Sequence, residues 1–296
     1  METRIARLAL LAALLTAAAG CYSPSGKRVE LESRHDAASI NQVQIRGISG
    51  RIEVVGSETS SIGITASSRA ERGDGEELAK RIEIRQDGDT LVIRERRTKG
   101  SRRILAMMDG GKPSISFEVT IPERMRLNAS TVNGRVVVEH VLGETALKSV
   151  NGRLEVSTPG AEVSASTVNG SIRAEFQNQF RGGTFKTING SIAVEVPHDA
   201  SLDLDIHQVN GSFHTDLPVV IQTSGRRSTR GSLHGGRYPL EIETVNGSVR
   251  LRQADPPPSP FAGELPPVST DLLEKPSEEP GAEATPGTDA EKPAGN

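Results

Sequence analysis

The side chains with the clearest capacity for chemistry are two histidines, His214 and His234, and a series of carboxylates, Glu139, Glu175, Glu195 and Asp216. All stand at fixed offsets within a repeating segment built on Asn-Gly. The histidines belong to a column four residues after the Asn position, which reads Val137, Glu155, Arg173, Ala193, His214, His234 and Arg250. The acids stand six residues after it. Two neutral imidazoles about one strand spacing apart could hold a transition metal. Stacked carboxylates repel one another, so the acidic column calls for basic neighbours or for a hard cation such as calcium. A solvated stripe without any ligand is the simpler reading of both columns. No cofactor is therefore expected, and His214 with His234 is the one speculative metal pair.

Motifs for other chemistry fail. "AMMDGGKP" departs twice from a phosphate-binding loop, with Ala106 in place of the first Gly and Pro113 in place of the hydroxyl residue. The His-Glu-x-x-His and Gly-x-Ser-x-Gly patterns do not occur. The carboxylates form a column rather than the isolated pair of a glycoside hydrolase, so a non-catalytic protein is expected. A carbohydrate-cleaving β-helix enzyme is the minor alternative. Asn169, Asn189, Asn210 and Asn246 in "NGS", and Asn128 in "NAS", match a glycosylation pattern, but a structural use of the repeated asparagines takes precedence. Once both ends are set aside the body is near neutral. Aromatic residues make up 3% and Trp is absent, which argues against a nucleic-acid surface.

What positions these columns is the repeat itself. Its Asn-Gly pairs are Asn133-Gly134, Asn151-Gly152, Asn169-Gly170, Asn189-Gly190, Asn210-Gly211 and Asn246-Gly247, at intervals of 18, 18, 20, 21 and 36 residues. "TRGSLHG" falls inside the last and widest interval and reads as a further rung, with Arg230 in the Asn place and Gly231 and Leu233 in register. "ISGRIEVV" has the same form earlier, with Ser49 and Gly50. Apolar residues fill the column four before Asn (Ala129, Leu147, Ala165, Phe185, Ile206, Ile242), and the columns three and five after it. Val132, Val150, Val168, Ile188, Val209 and Val245, directly before Asn, read as inward anchors of a corner. Apolar and polar positions alternate, which is the period of a half-buried strand.

Two all-β arrangements fit. An antiparallel meander would put Asn-Gly in hairpin turns. A β-solenoid would put it at the corner of each coil. In a meander, equivalent residues lie two strands apart and do not touch; in a solenoid they are neighbours about 4.8 Å apart. Only the solenoid rewards likeness down a column, through apolar stacking and rung-to-rung Asn bonds. A single-domain β-solenoid with coils of about 18–21 residues is the expected fold, with Gly after Asn supplying a positive φ. The stretch from Gly56 to Pro122 is less regular. "SIGITASSRA" and "RIEIRQDGDTLVIRER" alternate like strands with a hairpin at Asp87-Gly88. "GDGEELAKR" suits a short helix, and "TKGSRRILAMMDGGKPS" reads as a loop.

The ends read as separate from the fold. Residues 1–20 resemble a secretory signal peptide, with Arg4 and Arg7 before an apolar run. That run meets the only cysteine in "TAAAGC", which resembles a bacterial lipobox, with Ala18 where leucine is usual. The resemblance implies a lipidated Cys21, a linker over 21–39, and stable anchoring by more than one acyl chain. No disulfide can form within the mature chain. Residues 253–296 hold nine acids against two lysines and are rich in Pro, which suits a disordered acidic tail. The span 40–252 resembles a bacterial "putative adhesin" family of envelope β-strand-repeat proteins, on "SFEVTIPERMRLNASTVNGRVVV", the serial "TVNGSI" motifs and "YPLEIETVNGSVRLR". That resemblance implies an extracytoplasmic module, often tethered to a membrane, and defines no catalytic residues. The expected role is a lipid-anchored structural or binding module of the bacterial envelope whose partner is a glycan or an envelope protein, with a part in envelope signalling or assembly as the alternative.

Overall fold

Alternating apolar and polar residues become β-strand through about two thirds of residues 28–69, 75–96 and 114–254, which are the residues that the computed structural model describes. Strands β1 (Arg28–Asp36), β2 (Gln42–Arg46), β3 (Ile52–Ser57) and β4 (Ser61–Arg69) come first, followed by helix α1 (Gly75–Arg81) and the hairpin β5 (Ile82–Asp87) with β6 (Thr90–Glu95). Strand β7 (Ile115–Pro122) leads into the regular coils. Each coil gives one strand before its Asn-Gly pair and one after it. These are β8 (Arg126–Asn133) with β9 (Val136–Glu139), β10 (Thr145–Asn151) with β11 (Leu154–Thr158), β12 (Val163–Asn169) with β13 (Ile172–Phe176), β14 (Gly183–Asn189) with β15 (Ile192–Val196), and β16 (Leu202–Asn210) with β17 (Phe213–Thr215). A hairpin of β18 (Val220–Ser224) and β19 (Ser228–Leu233) follows, and then a last coil of β20 (Tyr238–Asn246) and β21 (Val249–Gln253).

The strands before Asn form one sheet and those after it form the other. The first sheet runs β18-β19-β16-β20-β14-β12-β10-β8-β2-β6-β5, the second β1-β4-β7-β3-β9-β11-β13-β15-β21-β17. Coil on coil the pairing is parallel and in register, Asn151 against Asn169 and Leu154 against Ile172. This is a β-solenoid, and the meander is excluded. The columns four before and three and five after Asn face inward between the sheets, where Leu147, Phe185, Leu154, Ile192 and Val194 are almost wholly buried.

Four features depart from the expected layout. The coils do not stack in chain order: β20 lies between β14 and β16, and β21 between β15 and β17. "TRGSLHG" is not a rung, because β19 runs antiparallel to β16, with Arg230 opposite Asp205. Together with β18 it forms a hairpin that covers the end of the first sheet. The linker expected over 21–39 is interrupted by β1, which pairs along its whole length with β4. The last departure concerns the Val column and is described with the surface it forms. Antiparallel strands close the other end as well, β4 with β7 and β5 with β6, as capping units of a repeat must. The hairpin at Asp87-Gly88 and the short helix stand where the residue pattern puts them, with Gly88 at φ 63°. "ISGRIEVV" is a true first corner: Ser49 bridges Asn133, and Ile52 lies opposite Val136. Residues 1–27, 70–74, 97–113 and 255–296 lie outside the described residues, and with them the expected signal peptide and nearly all of the expected loop and tail.

Candidate binding surface

The Asn-Gly corners form a ladder. Asn151 Nδ2 donates to Asn133 Oδ1 at 2.9 Å, Asn169 to Asn151 at 3.0 Å and Asn189 to Asn169 at 2.9 Å. The next rung is the last coil of the chain: Asn246 donates to Asn189 at 2.9 Å, and Asn210 then donates to Asn246 at 3.0 Å. The amides thus point head to tail along one direction. Asn133 acts only as an acceptor in the ladder, whereas Asn169 both gives and accepts. Replacing Asn133 with Asp keeps the acceptor that Asn151 uses. Asn169→Asp instead removes a donor and sets two oxygens against each other. Asn133→Asp is expected to leave stability nearly unchanged and Asn169→Asp to cost about 1 kcal/mol or more, the worth of a net hydrogen bond, in urea unfolding above the carboxylate pKa range. A reversed order of cost would mean the amides point the other way.

The glycines serve by lacking a Cβ more than by their φ. Gly152, Gly170 and Gly247 have no left-handed φ, yet a Cβ on each would lie 1.8, 1.9 and 1.7 Å from the carbonyl oxygen of the glycine on the adjacent rung. The expectation of a positive φ at every corner is corrected accordingly: the rungs approach so closely that backbone touches backbone. Side chains two before Asn reach under the same corner. Thr187 Oγ1 donates to Gly170 O at 3.2 Å, and Gln208 Nε2 does the same to Gly247 O at 3.2 Å.

The residue before Asn, expected as an inward anchor, points out. Val132, Val150, Val168, Ile188, Val245 and Val209 are each 37–46% exposed. Strand geometry requires it: a side chain three positions after an inward one lies on the opposite face, and the alternation runs unbroken up to the Asn. The six line up in rung order as a continuous apolar stripe about 24 Å long at strand spacing. Part of it floors an open groove of about 470 Å³, lined by Val168, Ile188, Val245 and Val209 and flanked by Lys186 and Arg227. Arg227 belongs to the turn of the β18–β19 hairpin, held to the sheet where Gln208 N–H donates to Arg227 O at 2.9 Å. Lys186 bridges Glu241 at 2.9 Å and Glu243 at 3.2 Å. Those bonds hold the Lys186 ammonium above its ordinary pKa, and the bond from Lys186 holds Glu241 below the usual carboxylate range.

The other sequence-derived candidates do not converge. His214 sits on β17 opposite Arg250, with Nε2 3.2 Å from Asp216 Oδ1. His234 follows β19 on the other sheet at φ 46°, and its Nδ1 lies 3.1 Å from Ala200 O. The pair does not stand side by side, because the segment carrying His234 is a capping strand and not a rung. Glu195 bonds Arg173 at 3.0 Å, and the inserted β21 sets Arg252 between Glu195 and Asp216, 3.6 Å from the latter. Basic neighbours therefore relieve this part of the acidic column. Among the described residues no group of three or more His, Cys, Asp or Glu is placed to hold a metal. Cys21 lies outside the described residues.

A family model described as Toastrack DUF4097 matches residues 32–252. Among solved structures, a "putative cell adhesion protein" from Clostridium sporogenes is similar at 11% identity, covering 77% of this chain and 100% of that one, with a TM-score of 0.48. A "putative lipid binding protein" from Parabacteroides distasonis aligns at 9% identity over 78% of this chain and 99% of that one, with a TM-score of 0.32. A "putative adhesin" from Bacteroides fragilis aligns at 10% identity over 77% and 98%, with a TM-score of 0.27. No curated protein matches the sequence.

Proposed function

The chain belongs to the Toastrack DUF4097 family, and we propose that it acts as a non-catalytic binding module of the bacterial envelope, held at a membrane through a lipidated Cys21. The observation that carries the reading is the stripe of Val132, Val150, Val168, Ile188, Val245 and Val209. Each of the six is 37–46% exposed on a parallel ladder that fixes their spacing. Exposed apolar surface that is contiguous marks an interaction site more often than the same residues scattered singly. Branched aliphatic side chains offer dispersion contact and exclude water. They suit an extended apolar segment of an envelope protein better than a glycan, which wants matched polar groups and stacking aromatics. A rigid solenoid loses little conformational freedom when it presents such a surface, so less of the contact energy is spent on ordering.

The test is made in intact cells. A photo-crosslinking residue at Val168 should give discrete protein adducts that disappear when Ile188→Lys is added. The same probe at Arg173, on the outer face of the opposite sheet, should give none. Adducts of equal yield from both faces, or adducts that ignore Ile188→Lys, would reject the stripe as the binding surface. Fatty-acid labelling that survives Cys21→Ser would reject the anchor.

A further inference from the structure

The six Asn-Gly pairs are alike in sequence and unlike in their bonding. Asn-Gly is the dipeptide most open to spontaneous deamidation, because glycine offers no side chain to hinder attack by its own backbone nitrogen. In this fold that nitrogen is occupied at five of the six corners. Gly134 N–H donates to Asn151 O at 3.1 Å, Gly152 to Asn169, Gly170 to Asn189, Gly190 to Asn246 and Gly247 to Asn210, each of these four at 3.0 Å. Asn210 ends the ladder, and among the described residues no acceptor faces the Gly211 N–H. The side chain differs in the same way. In Asn151, Asn169, Asn189 and Asn246 both amide atoms are bonded within the ladder, whereas Asn210 uses only Nδ2. Gly211 is also the one exposed glycine of the six; the other five are half-buried.

The out-of-order threading creates this corner. Were the coils stacked in chain order, Asn246 would be the terminal rung and Gly211 would be covered. Instead the last coil slides beneath β16 and leaves Asn210-Gly211 at the open end. The β18–β19 hairpin pairs with β16 only over Leu202–His207, and its turn shares a small open pocket with Gly211 without bonding the Gly211 N–H.

We infer that Asn210-Gly211 is a site of covalent self-modification, by succinimide formation, and that the other five pairs are protected by the rung stacked on them. The Gly211 nitrogen gives its proton to water or hydroxide and attacks Cγ of Asn210. A carbon–nitrogen bond closes the five-membered imide, and Nδ2 takes up a proton and leaves as ammonia. One water then opens either imide carbonyl, giving aspartate or isoaspartate. The net change is one water consumed and one ammonia released, with no oxidant or reductant. The product places a carboxylate where the amide bonded Asn246, so the terminal ladder bond is lost and the open end gains negative charge.

The experiment uses the purified full-length protein, aged at mildly alkaline pH, with deamidation at each of the six asparagines followed by peptide mass spectrometry. A parallel sample is aged in denaturant. In the folded protein Asn210 should react roughly thirtyfold faster than Asn151, Asn169, Asn189 or Asn246, the factor that two missing hydrogen bonds of ordinary net strength represent. In denaturant the six rates should converge to within a few-fold. A folded-state rate at Asn210 no greater than that at Asn169 would overturn the inference. So would a preference for Asn210 that persists unchanged in denaturant, since it would then come from local sequence and not from the ladder.

Discussion

Gly170→Ala should destabilise the protein by about 3 kcal/mol or more, at the upper end of what an inserted methyl group costs in packed structure. The usual effect of Gly→Ala is opposite in sign: the unfolded chain loses freedom and the fold gains about 0.4–1 kcal/mol. Here the added carbon would lie 1.9 Å from Gly152 O, and 2.7 Å from its carbonyl carbon. Both are backbone atoms that cannot rotate away. Moving that carbonyl would disturb Gly152 N–H, bonded to Asn169 O, and Asn169 Nδ2, bonded to Asn151. Relief at one rung therefore strains the next. The control is Gly88→Ala. Gly88 has a left-handed φ of 63° but nothing within 4 Å of its Cβ position. Its cost should be about 1 kcal/mol, set by the left-handed backbone and partly offset by the unfolded chain. Urea midpoints of the two variants separate close approach from backbone strain. If both fall by the same amount, the close approach at Gly170 is relieved at no more cost than a left-handed backbone, and the missing Cβ does not account for the corner glycine.

This distinction bears on how much of the molecule was legible beforehand. The solenoid was, because six columns of like residues have no purpose in any fold that keeps them apart. The Asn ladder was legible for the same reason. The orientation of Val132 and its equivalents is legible too, against the inward anchor expected: Ala129 faces inward, and a strand puts the residue three places on outside. The Asn-Gly corner stands where the repeat puts it, but the strand keeps its alternation up to the Asn, so the apolar residue before it faces out. The order of the coils was not legible. "TINGSI" and "TVNGSV" are nearly the same segment, so the local pattern does not encode which rung stacks on which. Charge offers the one hint. In chain order Glu195 would stack on Asp216, and the inserted β21 sets Arg252 between them. The error over Arg230 follows from this. With the coils assumed consecutive, the wide interval before Asn246 invites a missing rung, whereas that length is used to build a capping hairpin and return beneath β16. The metal pair of His214 and His234 fell with that rung. The exposed apolar stripe is thus hidden by one error of parity, and the open Asn210-Gly211 end by one of threading.

Inside the solenoid the likeness of the rungs ends, and the largest single-residue effect after the corner glycines should come from Phe185. The column four before Asn is uneven in size, and in rung order it reads Ala129, Leu147, Ala165, Phe185, Ile242 and Ile206. Phe185 lies opposite Ala165 on one side and Ile242 on the other, and it is fully buried. Two residues earlier on the same face the neighbouring coils carry Val163 and Leu240, whereas the Phe185 strand carries Gly183. A Cβ at Gly183 would lie 2.6 Å from Phe185 Cε2, so the ring occupies the space that the glycine leaves. Phe185→Ala should cost about 3–5 kcal/mol through the cavity it opens. Gly183→Ala alone should cost about 1–3 kcal/mol by overpacking. Joined in one chain, the two should not add. With the ring gone the new methyl has room and fills part of the cavity, so Gly183→Ala should become neutral or stabilising in the Phe185→Ala background. The coupling should be about 2 kcal/mol, within the range for residues in direct contact, as read from a double-mutant cycle of urea midpoints at constant slope. Strict additivity would mean that the ring does not pack on Gly183. The glycine would then have to be explained by its place beside Gly182, whose φ of 124° marks the turn into β14.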